Sequence, residues 1–182
     1  MMYNHYTMIL LYIILLLVLI YFVFFINQFY NIIFHGYPPF ISTSQSSLTK
    51  IIELTNINET DVIYELGCGR ARFLRIIELA HQKARLIGVE NLLSIFLINW
   101  FRLKLQGSKI KLLNKNLFDI NLKEANLIYC YLNQALMFKL GAKIIKECLP
   151  GTQIISQAFS ISQLTPVKVS LINHKKVYFY IV

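Results

Sequence analysis

No lysine, arginine, aspartate or glutamate occurs in the first 49 residues; the first charged side chain is Lys50. All 18 basic and 9 acidic side chains therefore belong to the following 133 residues, and with them the net charge of +9. Cysteine is scarce as well. Cys68, Cys130 and Cys148 form no CxxC pair and no Cys-His pairing, which argues against a zinc site. An odd, sparse set suits reduced thiols in a reducing compartment. Cys130, inside an apolar stretch, reads as a small core residue. The four histidines are scattered: His5 near the start, His35 beside Gly36, His81 at a helix end, His174 in a turn. None completes a Ser-His-Asp arrangement. There is no internal repeat and no low-complexity tract.

What the charge-free segment does have is a long apolar run. Met8 to Ile26 reads MILLYIILLLVLIYFVFFI. As a helix it is roughly 28 Å long, close to the hydrocarbon thickness of a bilayer. A core helix would show a polar face, and this one has none. A cleaved signal peptide would show a basic start, a shorter apolar run and a small-x-small site, all missing here. The segment reads as a single transmembrane anchor, with Tyr3, Tyr6, Tyr21 and Tyr30 towards the interfaces. Charges are absent on both flanks, so the positive-inside rule has little to act on. The basic excess downstream favours a cytosolic placement of the rest, or a matrix one in a mitochondrion. Residues 1–35 are thus an anchor with its flanks, and 36–182 a separate domain.

Asn27 to Ser47 reads as a linker. Gly36-Tyr37-Pro38-Pro39-Phe40 resists helix, because proline restricts itself and the residue before it. The serines from Ser42 onward offer helix N-caps, and a short amphipathic helix is predicted over Ser46–Thr55. Strands and helices then alternate. Strands are predicted at Val62–Leu66, Arg85–Glu90, Lys109–Leu113, Ala125–Leu132 and Thr152–Gln157. Helices are predicted at Arg70–Gln82, Leu92–Gln106 and Gln134–Cys148. Alternation of this kind predicts an α/β fold with a doubly wound, mostly parallel sheet. Two β-rich runs, Pro166–Ile172 and Lys176–Val182, flank the polar turn Asn173-His174-Lys175 and read as a hairpin. The total is seven strands with one antiparallel edge member.

Chemistry concentrates where the first strand ends. In Val62-Ile63-Tyr64-Glu65-Leu66-Gly67-Cys68-Gly69-Arg70-Ala71-Arg72, an apolar strand closes on Glu65, a Gly-x-Gly turn follows, and a helix starts. Glycine lets backbone approach a ligand closely, and ligands bind at the C-terminal edge of such sheets. The third glycine of a dinucleotide fingerprint would fall at Arg72, where it is missing, which sets back a nicotinamide-dependent reductase. An acidic strand end before the turn suits a cationic ligand such as an amino-acid ammonium. The second strand, Leu86-Ile87-Gly88-Val89-Glu90, also ends on a carboxylate, which can accept from both hydroxyls of a ribose. Glu90 has a plainer reading as an exposed strand end, Asn116 as a turn residue, and Thr43 as a helix cap or linker residue. Tyr131 could orient an acceptor amine or simply pack.

With these residues the chain resembles the seven-strand, class I methyltransferases. It is most similar to the small membrane-anchored branch that includes mitochondrial protein-lysine methyltransferases and their prokaryotic relatives. Matching pieces are Pro39-Phe40-Ile41-Ser42-Thr43, Asp61 through Gly69, Gly88-Val89-Glu90, Tyr131-Leu132, and Pro150 through Ser156. The resemblance implies S-adenosylmethionine as cofactor. It implies that Glu65 binds the methionine ammonium, Gly67 and Gly69 line the methionine, and Glu90 holds the ribose. It further implies that Asn116 faces the adenine amine, Leu117 packs on the adenine ring, and Thr43 closes over the cofactor. Departures are Ala71 at the last glycine of Gly-x-Gly-x-Gly, Arg70 beside it, Lys115-Asn116 for Gly-Asp, and Gln134 where proline is common.

The activity expected on this resemblance is methyl transfer to a lysine of a protein, plausibly a membrane protein. A lipid or small-molecule acceptor, or a non-catalytic membrane scaffold keeping the fold, are the alternatives. The cations Lys83, Arg85, Arg102, Lys104, Lys109, Lys111 and Lys115 read either as a solvated face or as a surface for anionic lipid headgroups. A nucleic-acid surface ranks below both, because aromatic residues are not read as interleaved with those cations.

Overall fold

The computed structural model describes residues 5–35 and 43–182. By its internal contacts the chain divides into two compact units, Met1–Pro39 and Phe40–Val182. The first unit contains helix α1 (His5–His35). Its stretch His5–Ile26 is long and apolar enough to cross a bilayer, and none of it is buried. The helix continues through Asn27–His35, where a linker was expected, because no proline or glycine interrupts the chain before Gly36. The predicted turn at Gly36–Phe40, and the Pro39–Ser42 part of the family resemblance, lie outside the described residues.

The second unit runs α2 (Gln45–Glu53), β1 (Val62–Leu66), α3 (Arg72–Ala80), β2 (Arg85–Glu90), α4 (Leu93–Leu105), β3 (Lys111–Asn114), β4 (Leu127–Cys130), α5 (Gln134–Glu147), β5 (Gln153–Gln157), β6 (Lys168–Ile172) and β7 (Lys175–Ile181). One seven-stranded sheet has the order β3-β2-β1-β4-β5-β7-β6. Strands β1 to β5 are parallel. β1 and β4 are buried at every position, as interior parallel strands must be when helices cover both faces.

The antiparallel strand is not at the edge. β7 pairs antiparallel with both β5 and β6, so β6 closes the sheet running in the direction of β5. β7 takes the inner place because it is apolar on both faces: Val177 and Phe179 enter one core, Tyr180 the other. In β6, Val169 and Leu171 stay exposed. The hairpin turn is two residues long, not three. Asn173 and His174 are both left-handed (φ 46° and 62°), which matches the twist of the flanking strands. Lys175 already belongs to β7.

Helix α3 begins at Arg72, two residues later than expected, because Ala71 adopts a left-handed conformation (φ 50°, ψ 40°) that no helix can incorporate. Its methyl is fully buried, which offsets part of the cost. On the α2–α4 side of the sheet, Leu48, Phe73, Leu74, Ile77 and Leu103 pack with Ile63, Tyr129, Ile155 and Phe179. On the other side, Met137, Leu140 and Ile144 of α5 pack with Leu66, Ile128, Ile154 and Tyr180. The parallel register places Leu66 beside Val89 and Cys130, and Cys130 beside Ser156. The ends of β1, β2, β4 and β5 thereby form one edge.

Candidate active site

Glu65 comes from the buried strand β1 and is itself 6% exposed. Its Oε2 accepts a hydrogen bond from the Leu74 amide at 3.2 Å, near the start of α3. Burial pushes its acid constant up to about 8; the amides of Leu74 and Phe73 pull the other way, and Glu90 adds a little upward. Among the described residues, none of the ion pairs includes Glu65. A carboxyl so placed is neutral without a cation and ionises when one arrives.

The turn after β1 is held by backbone bonds to the neighbouring strand. Gly67 and Cys68 both donate to the Val89 carbonyl at 2.9 Å. Gly67 has φ +69°, a conformation that favours glycine, and a Cβ there would stand 2.8 Å from Leu132 Cδ2, so that side chain would have to move. Gly69 also has positive φ (50°), and its amide donates to Glu90 Oε2 at 2.9 Å. Glu90 Oε1 accepts from the Leu92 amide at 2.9 Å. Glu90 is therefore not an exposed strand end. It is 8% exposed and ties the glycine turn to the segment that leads into α4. Burial raises its acid constant against the opposing amides of Leu92, Gly69 and Asn91. Three amide bonds on two carboxylate oxygens leave acceptor capacity for a ligand.

A third group gathers at the end of β5. The Thr43 hydroxyl donates to Gln157 Oε1 at 3.0 Å, and the Tyr129 hydroxyl donates to the same oxygen. Tyr129 stacks on Phe73 with ring centroids 4.2 Å apart. Arg72 Nη1 donates to the Thr43 carbonyl at 3.0 Å. Thr43 is thus no helix cap. That role belongs to Ser44, whose side chain accepts from the Ser47 amide. Arg72, read from the sequence only as the position of a missing third glycine, and Gln157 are given no site role by the sequence reading. The signal for Gln157 was there: it is a polar residue closing an apolar strand at the ligand-binding edge.

Asn116 and Leu117 follow β3. Asn116 Oδ1 accepts from the Phe118 amide and its carbonyl accepts from the Asp119 amide, both at 3.0 Å, so the plainer reading as a turn residue holds. The same oxygen retains a second lone pair. Leu117 is buried in the α5-side core. Asn114, also missed, donates from Nδ2 to the Glu90 carbonyl at 2.9 Å and steadies the end of β2. Tyr131, one residue beyond β4, is half-buried; its hydroxyl accepts from Lys175 Nζ at 2.9 Å, with that ammonium 5.0 Å from the ring centroid. It does more than pack: it joins the end of β4 to the start of β7. Among the described residues no cluster of His, Cys, Asp or Glu could hold a metal.

This donor set suits a ligand with a cation at one end and a vicinal diol at the other. Glu65 supplies an unpaired buried carboxyl, Glu90 a second carboxylate, and the glycine turn between them a close backbone approach. An acidic strand end, a glycine turn and a second acidic strand end, on a sheet of this order, define the class I S-adenosylmethionine-dependent methyltransferases. Within that class the chain belongs to the ANTKMT methyltransferase domain family, whose model matches residues 65–168. It is 25% identical over 158 residues to a protein-lysine N-methyltransferase of Saccharolobus islandicus (strain REY15A), covering 79% of this chain and 93% of that protein. Its fold is similar to the crystal structure of an RNA methyltransferase from Salinibacter ruber in complex with S-adenosyl-L-homocysteine. The TM-score is 0.73 at 24% identity, covering 78% of this chain and 94% of that one. A ribosomal protein L11 methylase from Lactobacillus delbrueckii subsp. bulgaricus aligns with TM-score 0.59 at 13% identity, over 73% of this chain and 75% of that one.

Proposed function

We propose that this chain transfers the methyl group of S-adenosylmethionine to a lysine side chain of a protein, beside a membrane in which α1 anchors it. The observation that carries the cofactor reading is the pair of buried strand-end carboxyls, Glu65 and Glu90, set on either side of a left-handed glycine turn. Glu65 binds the methionine ammonium and Glu90 the ribose hydroxyls. Gly67 and Gly69 line the methionine, Asn116 and Leu117 face the adenine, and Thr43, held by Gln157 and Arg72, closes over the cofactor. The lysine specificity is supported by the archaeal relative's activity.

S-adenosylmethionine supplies an electrophilic methyl group on a sulfonium. A neutral lysine amine attacks that carbon in line; the carbon–sulfur bond breaks with its electron pair on sulfur, and the product ammonium sheds a proton to water. The leaving thioether is neutral and needs no acid, so the protein's part is positioning. Tyr131, held by Lys175, is the candidate to orient the acceptor amine. Ala71 takes the backbone conformation a third glycine would have taken, so that departure leaves the turn intact. The membrane reading rests on the length and apolarity of His5–Ile26, and the need for S-adenosylmethionine together with the basic excess after Lys50 supports a cytosolic or matrix-facing domain.

The test is to incubate the full chain with methyl-labelled S-adenosylmethionine and a membrane fraction of its source, then separate protein, lipid and nucleic acid. Label in protein, recovered as methyl-lysine after acid hydrolysis, is expected. Label in the lipid or nucleic-acid fraction would redirect the acceptor assignment and leave the cofactor assignment standing.

A further inference from the structure

Helix α4 is apolar on two opposite faces. Asn99 and Leu103 are buried against the domain. The other side carries Leu93, Leu97, Ile98, Trp100, Phe101 and Leu105, each between 41% and 74% exposed. At 100° per residue these six fall within an arc of about 160°, which also holds Ser94 and Lys104. Soluble domains rarely leave such a stripe uncovered, and where they do it marks a contact surface.

Charge identifies the contact. Between Asn91 and Phe118 the chain holds five cations, Arg102, Lys104, Lys109, Lys111 and Lys115, and no acidic residue. Lys104 lies on the apolar arc itself, its ammonium 4.8 Å from the centre of the Trp100 ring. Cations and aromatics therefore do interleave on this helix, contrary to the sequence reading. An apolar arc with a tryptophan at one border, Lys104 within it and Arg102 just beyond the opposite border is the composition of helices that lie in the headgroup layer of an anionic bilayer.

We propose that α4 is a second membrane contact. Its exposed arc beds into the interface of an anionic bilayer while Arg102 and Lys104 reach lipid phosphates. The inference rests on the reading of α1 as a span, which keeps α4 at the membrane, and is independent of the acceptor. A single contact of this size binds weakly, but anchoring by α1 makes it intramolecular and raises its effective concentration. Helix α4 starts next to Glu90 and Leu92, so docking would bring the ligand-binding edge of the sheet to the bilayer surface, where lysines at the ends of membrane spans lie.

Trp100 is the chain's one tryptophan, so its fluorescence reports on α4 alone. The full chain is reconstituted into phosphatidylcholine vesicles with or without phosphatidylglycerol, with brominated acyl chains as quenchers. The expected result is a blue-shifted Trp100 emission, quenched by bromine near the headgroups and protected from aqueous acrylamide, in the anionic vesicles. Neutralising both cations (Arg102→Gln with Lys104→Gln) removes a factor of roughly 25 from the docking equilibrium, about fivefold per cation, and returns Trp100 to acrylamide. Emission that remains water-like and acrylamide-accessible in reconstituted protein overturns the proposal. So does a Trp100 shielded from both quenchers, which would mean that protein covers the stripe. A chain that fails to float with the vesicles overturns the anchor reading and this inference with it, without touching the enzymatic one.

Discussion

Glu65 makes cofactor binding a proton-release reaction. With an acid constant of about 8 in the ligand-free protein, roughly nine-tenths of its carboxyl groups are neutral at pH 7. Pairing with an ammonium in a buried site favours the ionised form and pulls that constant well below 7. Binding at pH 7 should therefore release about 0.9 proton per site from Glu65, and affinity should rise nearly tenfold per pH unit between about 6 and 7. Both measurements stay at or below pH 7, where the ligand's amino group is still protonated. The assay is calorimetric titration of S-adenosylmethionine into the full chain in buffers of different ionisation enthalpy; the slope of apparent enthalpy against buffer enthalpy counts protons. Glu65→Gln should lose that release and most of the affinity. A slope near zero in the parent chain, or the same slope in Glu65→Gln, would refute the assignment of the ammonium to Glu65.

The same shift has a stability consequence of fixed sign. Between the ordinary value of 4.5 and about 8, the folded state holds a proton on Glu65 that the unfolded state has lost, so ligand-free stability falls as pH rises through that window. Glu65→Gln should flatten the fall and raise the ligand-free Tm at pH 8, by an amount equivalent to a few kcal/mol at most; thermal scans at pH 6 and 8 check this. Gly88 faces a tight space: a Cβ would stand 2.7 Å from Leu112 Cδ2 and 2.9 Å from Cys68 Sγ. Gly88→Ala should cost about 1–3 kcal/mol in urea unfolding and, by displacing Cys68, weaken cofactor binding. Asn99 is 3% exposed and, among the described residues, its amide N and O have no hydrogen-bond partner. Asn99→Leu should stabilise by about 1–3 kcal/mol, and a lower urea midpoint would show that the amide has a partner.

The fold was legible because its signals are local. Buried strands are mostly apolar runs, helices alternate with them, and Glu65-x-Gly-x-Gly with Glu90 marks a ligand edge by spacing alone. Ends were less legible. Ala71 stops α3 from starting at Arg70 through a left-handed conformation that alanine does not advertise, and α1 runs on to His35 because nothing breaks it. Which arm of the hairpin docks on β5 depends on side-chain packing across both sheet faces, which no turn signal reports. The long-range polar contacts around the site were the least legible part. Thr43, Tyr129 and Gln157 converge from three segments separated by up to 114 residues, and Lys175 at the start of β7 meets Tyr131 after β4, 44 residues earlier. Contacts of that range are fixed by topology, so the residues could be noticed singly but not assembled.

The central claim is that Glu90 clamps the ribose of S-adenosylmethionine. Its most direct test is titration of that cofactor into the full chain beside Glu90→Ala, each checked for fold by urea unfolding. Two hydrogen bonds to a charged acceptor, at about 1.5 kcal/mol or more each, predict at least ~100-fold weaker binding in the variant. A folded Glu90→Ala chain that binds within about threefold of the parent would contradict the account.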